Sequence, residues 1–460
     1  MVTSFLVVQL ALAQAGIVNG EVVVVADTNG AAHTNSNLVA GLGSTLCAFA
    51  ARGVAYAKPD VFDVVVAFTT HPLTGGVLTN DATPKATIVR ASGTGYTWGS
   101  PLIVLQPSEF GSAAQLSHCV FMGPVQNLPA NPDDDFRQPA FPTGTMPSGT
   151  TGIEVLGHEL GHHWLVQSAY DKGDGLRAMH RSDAREPADG LEDRVSMAQL
   201  HWSHLADTQS VMYGNFITPL GNGQFKLEGG ARKYGPMDQY FMGLRAPEET
   251  PPLLVINDGS QMGLIGTPLR RGESTTVSGT AVNVSVADFV RAQGVRAPAF
   301  PNAKRCFRLA FVLVTQQGTT ATADQLALVD AYRRRFEGWF SFATDGRANA
   351  VTSLDVFEPC PEPPLGMDGG VVEPMDAGVE VDAGVTEQPD AGAPSSDAGI
   401  LPGNNDAGTT TEPGTDTTKF KPGCECDSVP AGALLLTLLL TSRRRKVRGH
   451  GREELPHQEG

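Results

Sequence analysis

The chain has 460 residues, 41% of them hydrophobic and 18% charged, which is long enough for two or three domains with a sizeable core. Its formal net charge is −16, but residues 361–423 alone hold twelve acidic residues against two lysines, a net of −10. The remainder is only mildly acidic, which argues against nucleic acid as a partner, because phosphate binding needs a basic face.

Near the start, Phe5 to Ala13 is apolar, and Ala13-Gln14-Ala15 has the small-x-small form of a signal-peptide cleavage site. Residues 1–20 therefore read as an export signal. Met1 to Ser4 carries no Lys or Arg, however, so either the start lies upstream or Phe5 to Leu12 is a first buried segment. Val22 to Ala26 is a short β-branched run that predicts a buried strand, and Leu38, Leu42, Leu46 and Phe49 give Asn37 to Ala51 a helical period. Further strands are expected at Val61 to Thr69, Leu102 to Leu105 and Val120 to Met122, with a Pro-, Asp- and Gly-rich loop from Asn131 to Gly149.

Thr150 to Gln167 reads as a helix, with Thr150 or Thr151 as its cap and Val155, Leu156, Leu160 and Trp164 on the apolar side. Asp171 to Asp193 is polar and predicts a long irregular excursion. Short strands are expected from Gln224 to Ser285, a strand at Cys306 to Thr315, and a helix at Ala323 to Phe342. That helix carries Arg333-Arg334-Arg335, which reads as a solvated face rather than a binding patch.

After Pro361, five Asp-Ala-Gly copies are strung among Pro, Gly, Thr and Glu, too poor in aromatic and branched residues to fold, so residues 361–423 read as a disordered stalk. Then come Cys424-Glu425-Cys426, an apolar stretch from Val429 to Thr441 and a cluster of arginines and lysine from Arg443 to Arg448. Thirteen helical residues span about 20 Å, short of the ~30 Å hydrocarbon core, which argues against a permanent anchor. This layout resembles the C-terminal sorting tails of myxobacterial surface proteins, the MYXO-CTERM type. The resemblance covers residues 424–460 and implies processing near the cysteines, contact of the tail with membrane and sorting machinery, and display on or release from the cell surface. The positive cluster fits a cytoplasmic stop with the rest translocated. In an exported chain Cys47, Cys119, Cys306 and Cys360 are expected to form one or two disulfides, Cys306–Cys360 first; the alternative is four buried thiols.

The chemistry is carried by His158-Glu159-Leu160-Gly161-His162, an H-E-x-x-H motif. On a helix, residues four apart share a face, so His158 and His162 can present imidazole nitrogens to one Zn2+ ion. Glu159 is placed to act as general base on water activated at that metal. A third ligand must follow. The extended metzincin motif would need Gly at 165 and His at 168, and the chain has Leu165 and Ser168 instead. His201 is the first choice, with His204, Asp207, His180, Glu186 and Glu192 as alternatives. Ser210-Val211-Met212-Tyr213 resembles the metzincin Met-turn, although the metzincin Tyr usually lies one residue further on. Tyr213 is accordingly assigned as a catalytic hydrogen-bond donor to the oxyanion, with Tyr234 and Tyr240 as alternatives. Asp238 is a candidate to orient a ligand histidine. His163 is expected in a supporting or exposed position, and His118 in a structural one.

Together with Tyr234 to Leu244, these segments resemble a group of secreted metallopeptidase-like proteins of the same bacteria, over Glu21 to Asp355. The resemblance implies an α+β, zincin-like catalytic region at residues 21–360, with a mixed sheet and an active-site helix, then a strand-rich part and the stalk. The function expected is zinc-dependent hydrolysis of protein or peptide substrates by a secreted or surface-displayed enzyme; the sequence leaves oligomeric state open. Two alternatives are a surface binding or adhesion module that keeps the fold without catalysis, and a zinc hydrolase acting on non-peptide bonds.

Overall fold

The computed structural model describes residues 16–28, 30, 45–72, 85–88, 107–136, 149–165, 168–178, 201–257 and 269–365. It is a mixed α+β fold in which a seven-stranded sheet carries helices on both faces. The chain enters through β1 (Gly16–Asn19) and β2 (Val22–Ala26), an antiparallel hairpin, and crosses over α1 (Thr45–Ala57) to β3 (Val64–Thr69). The folded body thus includes Gly16 to Asn19, which the sequence reading had placed inside the signal segment. The edge strand β4 (Lys85–Ile88) pairs antiparallel with β5 (His118–Pro124).

After β5 comes α2 (Gly152–Gly161), then the hairpin β6 (Ala169–Asp171) and β7 (Leu176–Ala178). The next elements are β8 (Phe216–Gly221), β9 (Gln224–Glu228), α3 (Pro236–Met242), β10 (Leu253–Asn257), β11 (Ser274–Ser278), β12 (Thr280–Val284) and α4 (Val286–Gln293). They form small antiparallel sheets, β8–β9–β11 and β10–β12, around a satellite core of Leu205, Ile217, Phe225, Leu227, Ile256 and Val277. The strand-rich expectation for Gln224 to Ser285 therefore holds, with α3 added.

Only then does the chain return to the main sheet. β13 (Cys306–Thr315) fills the slot between β2 and β3, pairing parallel with both, and α5 (Ala323–Ala343) and β14 (Asn349–Val351) follow. The order is β1-β2-β13-β3-β5-β4, with β14 also on β13. A strand so placed is buried on both faces, which explains the unbroken apolar run of Leu309 to Val314 within it. Side chains alternate across the sheet. Val64, Val66, Phe68, Val120, Met122, Leu309, Phe311 and Leu313 join the core beneath α2 and α5. Val65, Ala67, Cys119, Phe121, Ala310, Val312 and Val314 face α1.

Two disulfides brace this frame, Cys47–Cys119 between α1 and β5 and the expected Cys306–Cys360, which excludes the free-thiol alternative for all four. In the Arg333-Arg334-Arg335 run, Arg333 and Arg334 share Asp330 and Arg335 pairs with Asp133; of the three only Arg334 is well exposed, so the run is only in part a solvated face. Among the described residues no helix is long and apolar enough to cross a membrane. The Leu102 to Leu105 strand, the stalk beyond Leu365 and the C-terminal apolar stretch and arginine cluster lie outside the described residues, as does most of the signal segment. Residues 361–365, expected in the stalk, are described, and Arg305 pairs there with Glu362 at 3.0 Å.

Helix α2 begins with a capping box. Thr151 Oγ1 accepts from the Glu154 amide at 3.4 Å, and Glu154 Oε2 accepts from the Thr151 amide at 2.9 Å. All ten of its residues are buried. The helix lies so close to α5 that a Cβ added at Gly157 would overlap the Trp339 ring. Gly157→Ala therefore gains helix propensity but overpacks the core, with a net loss of about 1–3 kcal/mol. A denaturant midpoint equal to or above that of the parent would contradict this packing.

Candidate metal centre

The sequence predicts a helix through Gln167, whereas α2 ends at Gly161 and residues 162–164 form a turn. The amides of His163 and Trp164 reach back three residues, to Leu160 and Gly161, tightening the last turn. This seats Trp164 edge-on against Phe307, ring centroids 5.2 Å apart, while His163 packs against His118 at 5.1 Å. His163 is thus buried rather than solvent-exposed. His118, on β5, approaches the Glu159 carbonyl with Nε2 at 3.2 Å and so ties the helix to the sheet. Leu165 and Ser168, where an extended motif would continue, are both buried.

The third histidine arrives from a compact loop, residues 201–215. Within it, Trp202 N donates to Met212 O, Gly214 N to Ser210 O, Met212 N to Ser210 Oγ, and Asn215 Nδ2 to His204 O. Met212 packs directly beneath α2, where a Cβ added at Gly161 would lie 2.5 Å from its Sδ. The variable fourth position of the His-Glu motif is therefore glycine because a methionine occupies that space.

These two elements bring His158, His162 and His201 together, with one ligand nitrogen from each within 4.8 Å of the others. His158 Nε2 and His201 Nε2 are 3.1 Å apart. Two ligands on a tetrahedral zinc at ~2.0–2.1 Å sit roughly 3.3 Å from each other, so the donor set fits such an ion. His158 Nδ1 lies 2.9 Å from the Val211 carbonyl, and since a carbonyl only accepts, Nδ1 carries the proton and Nε2 keeps its lone pair. Burial lowers the His158 pKa to about 4, against the raising effect of that hydrogen bond. Burial also holds His162 well below the usual imidazole range, helped by His158 and His118. Neutral imidazoles are the form that binds metal.

Glu159 is buried one residue after His158. Tyr213 packs its ring 4.3 Å from both His158 and His201, on a residue with φ of 67°, a conformation rarely taken by a side chain of this size. The other tyrosines take different places. Tyr234 donates its hydroxyl to the Gly157 carbonyl at 2.5 Å and packs edge-on against Trp339, and Tyr240 lies beside Arg296. Asp207 accepts from the Ile217 amide and Gln209, and His204 is not part of the histidine cluster. His180, Glu186 and Glu192 lie outside the described residues.

Asp238 does not orient a ligand histidine. Its Oδ1 accepts from the Trp202 indole at 2.7 Å, its Oδ2 from the Gly235 amide at 2.9 Å, and Ser210 also donates to it. It thereby links α3 to the residue after His201 and to the turn carrying Met212. Sequence spacing could not reveal this pairing between positions 36 apart.

No protein-family model matches this chain, and no curated protein or solved structure matches it either.

Burial pushes the Asp238 carboxyl up to about 7 from 3.8, against its three donors. Between these values the folded chain binds more protons than the unfolded one, so stability is full below about 4 and falls as pH rises towards 7. Asp238→Asn should be less stable at pH 5, having lost an acceptor, and should lose that component of the fall. Unfolding midpoints across pH 4–8 that decline identically in both chains would refute the assignment.

Proposed function

We propose that this chain is a zinc-dependent endopeptidase, exported and then displayed or released at the cell surface, which hydrolyses peptide bonds in protein or peptide substrates. The observation that carries the reading is the convergence of His158, His162 and His201 next to a buried Glu159. A zincin-like catalytic region is the fold reading that goes with it. Support for that reading comes from the mixed sheet, from the helix bearing the motif, and from Met212 beneath that helix.

His158, His162 and His201 would hold the ion. A zinc ion supplies a Lewis acid that polarises the scissile carbonyl and lowers the pKa of water towards ~7. Glu159, on the same helix as His158 and one turn before His162 at its C-cap, accepts the proton of the attacking water and passes it to the leaving amine. The Val211 carbonyl fixes the His158 tautomer, and the Trp202–Asp238 pair steadies the loop that delivers His201. Tyr213, packed on two of the three histidines, is the side chain assigned to donate a hydrogen bond to the developing oxyanion.

Export is supported by the two disulfides, which persist in oxidising compartments. The folded body extends to Gly16, the first residue after Ala13-Gln14-Ala15, so removal of the signal there would leave β1 whole.

Glu159→Gln is expected to retain bound zinc while peptide hydrolysis falls by at least about a thousandfold, since the base would be lost with the ligands untouched. Turnover of the variant within tenfold of the parent would rule out the mechanism. Absence of peptide hydrolysis in the zinc-loaded parent would instead favour a binding module.

A further inference from the structure

Next to the histidine cluster lies a concavity for which the proposed reaction provides no role. Its wall includes Thr150, Ser210, Tyr213, Gly230, Leu269 and Arg271. It shares Tyr213 with the cluster, and the Tyr213 ring centroid is 4.3 Å from those of His158 and His201. An occupant would therefore lie one side chain away from His158 and His201.

Arg271 is the charged member of this wall. Its backbone is fixed by a bridge to Gly229, whose amide donates to the Glu273 carbonyl at 3.1 Å. Its side chain is 34% exposed and donates through Nη2 to both oxygens of Glu154, at 2.9 and 2.7 Å. Glu154 is 2% exposed and also accepts from Arg232 Nε at 2.8 Å. Two guanidinium groups thus share one buried carboxylate. A guanidinium has five N–H donors in one plane, and Nη2 is the only nitrogen that Arg271 uses on Glu154. Among the described residues Glu154 is the one acid that Arg271 meets. The group best matched to the remaining donors is a second, incoming carboxylate, which a planar guanidinium binds with geometric selectivity.

We infer that this concavity receives a carboxylate of the substrate, either an acidic side chain or the C-terminal carboxylate, and that Arg271 determines this specificity. The inference rests on the peptidase reading. An acidic residue or chain end held beside Tyr213 would place a neighbouring peptide bond near the histidines, so the pocket would select where the chain is cut.

The test uses the full zinc-loaded chain and four matched peptides, with Glu or Gln at one internal position and a free or amidated C-terminus. Hydrolysis is followed with the parent, and binding is followed by calorimetry with Glu159→Gln. The expected result is about tenfold higher kcat/KM and about tenfold tighter binding for the peptide that presents the carboxylate; the side-chain and terminal arms identify its source. Arg271→Gln should bring the peptides within about twofold of one another. Arg232→Gln, whose side chain is not part of the wall, should keep the preference. Equal cleavage and binding of all four peptides by the folded parent overturns the pocket while leaving the peptidase intact. A preference unchanged in Arg271→Gln also overturns it. Carboxylate-dependent binding with no hydrolysis of any peptide overturns the peptidase and keeps the pocket. Should Arg271→Gln fail to fold, the parent's Glu-to-Gln ratio still decides.

Discussion

The hydrogen bond from His158 Nδ1 to the Val211 carbonyl joins two parts of the chain that are 53 residues apart, the buried helix α2 and the loop carrying His201. Without an acceptor there, a buried imidazole would be free to choose its tautomer, and an unpaired carbonyl would remain in a dry interior. With it, Nε2 is left as the ligand atom and faces His201 Nε2 at 3.1 Å. Much of the surrounding structure maintains that register. Trp339 and Met212 press against α2 where Gly157 and Gly161 leave room, and Tyr234 satisfies the Gly157 carbonyl. Asp238 fixes Trp202 and the Ser210 turn from the other side.

How much of this can be read from the sequence depends on how local each signal is. His158, Glu159 and His162 stand out because helical spacing alone brings i and i+4 together. β13 and α5 are equally plain, since a doubly buried strand and a capped helix each write their burial into consecutive residues. His201 could be chosen only for its residue type and neighbours, because a loop has no period that fixes a side chain's direction. Asp238 shows the limit of such reasoning. Its carboxyl answers an indole and a hydroxyl brought in by tertiary folding, and no spacing rule distinguishes that from a contact with histidine. The positions of Tyr234 and Tyr240 are hard to read for a related reason: a buried phenol takes whichever backbone or side-chain partner the packing offers. The position of β13 between β2 and β3 is likewise invisible locally, since its partners lie 289 and 245 positions earlier in the chain, as Val312 to Val23 and Leu309 to Val64 show.

Electrostatics separates the site into two halves. Desolvation holds His158 and His162 below the usual imidazole range, whereas beside Arg271 two guanidinium groups gather on the buried Glu154. Glu154 also caps α2, so a residue in the first turn of the motif helix holds the guanidinium proposed for substrate selection. The helix that carries the proposed ligands His158 and His162 at its end thus holds the proposed specificity residue at its first turn.

The most direct measurement of the central claim is metal content by mass spectrometry on the purified full chain, on His158→Ala and on His201→Ala. The account predicts about one zinc per parent chain and loss of it in both variants while they remain folded. A folded parent that takes up no zinc, or a His201→Ala variant that retains it fully, would contradict the three-histidine site.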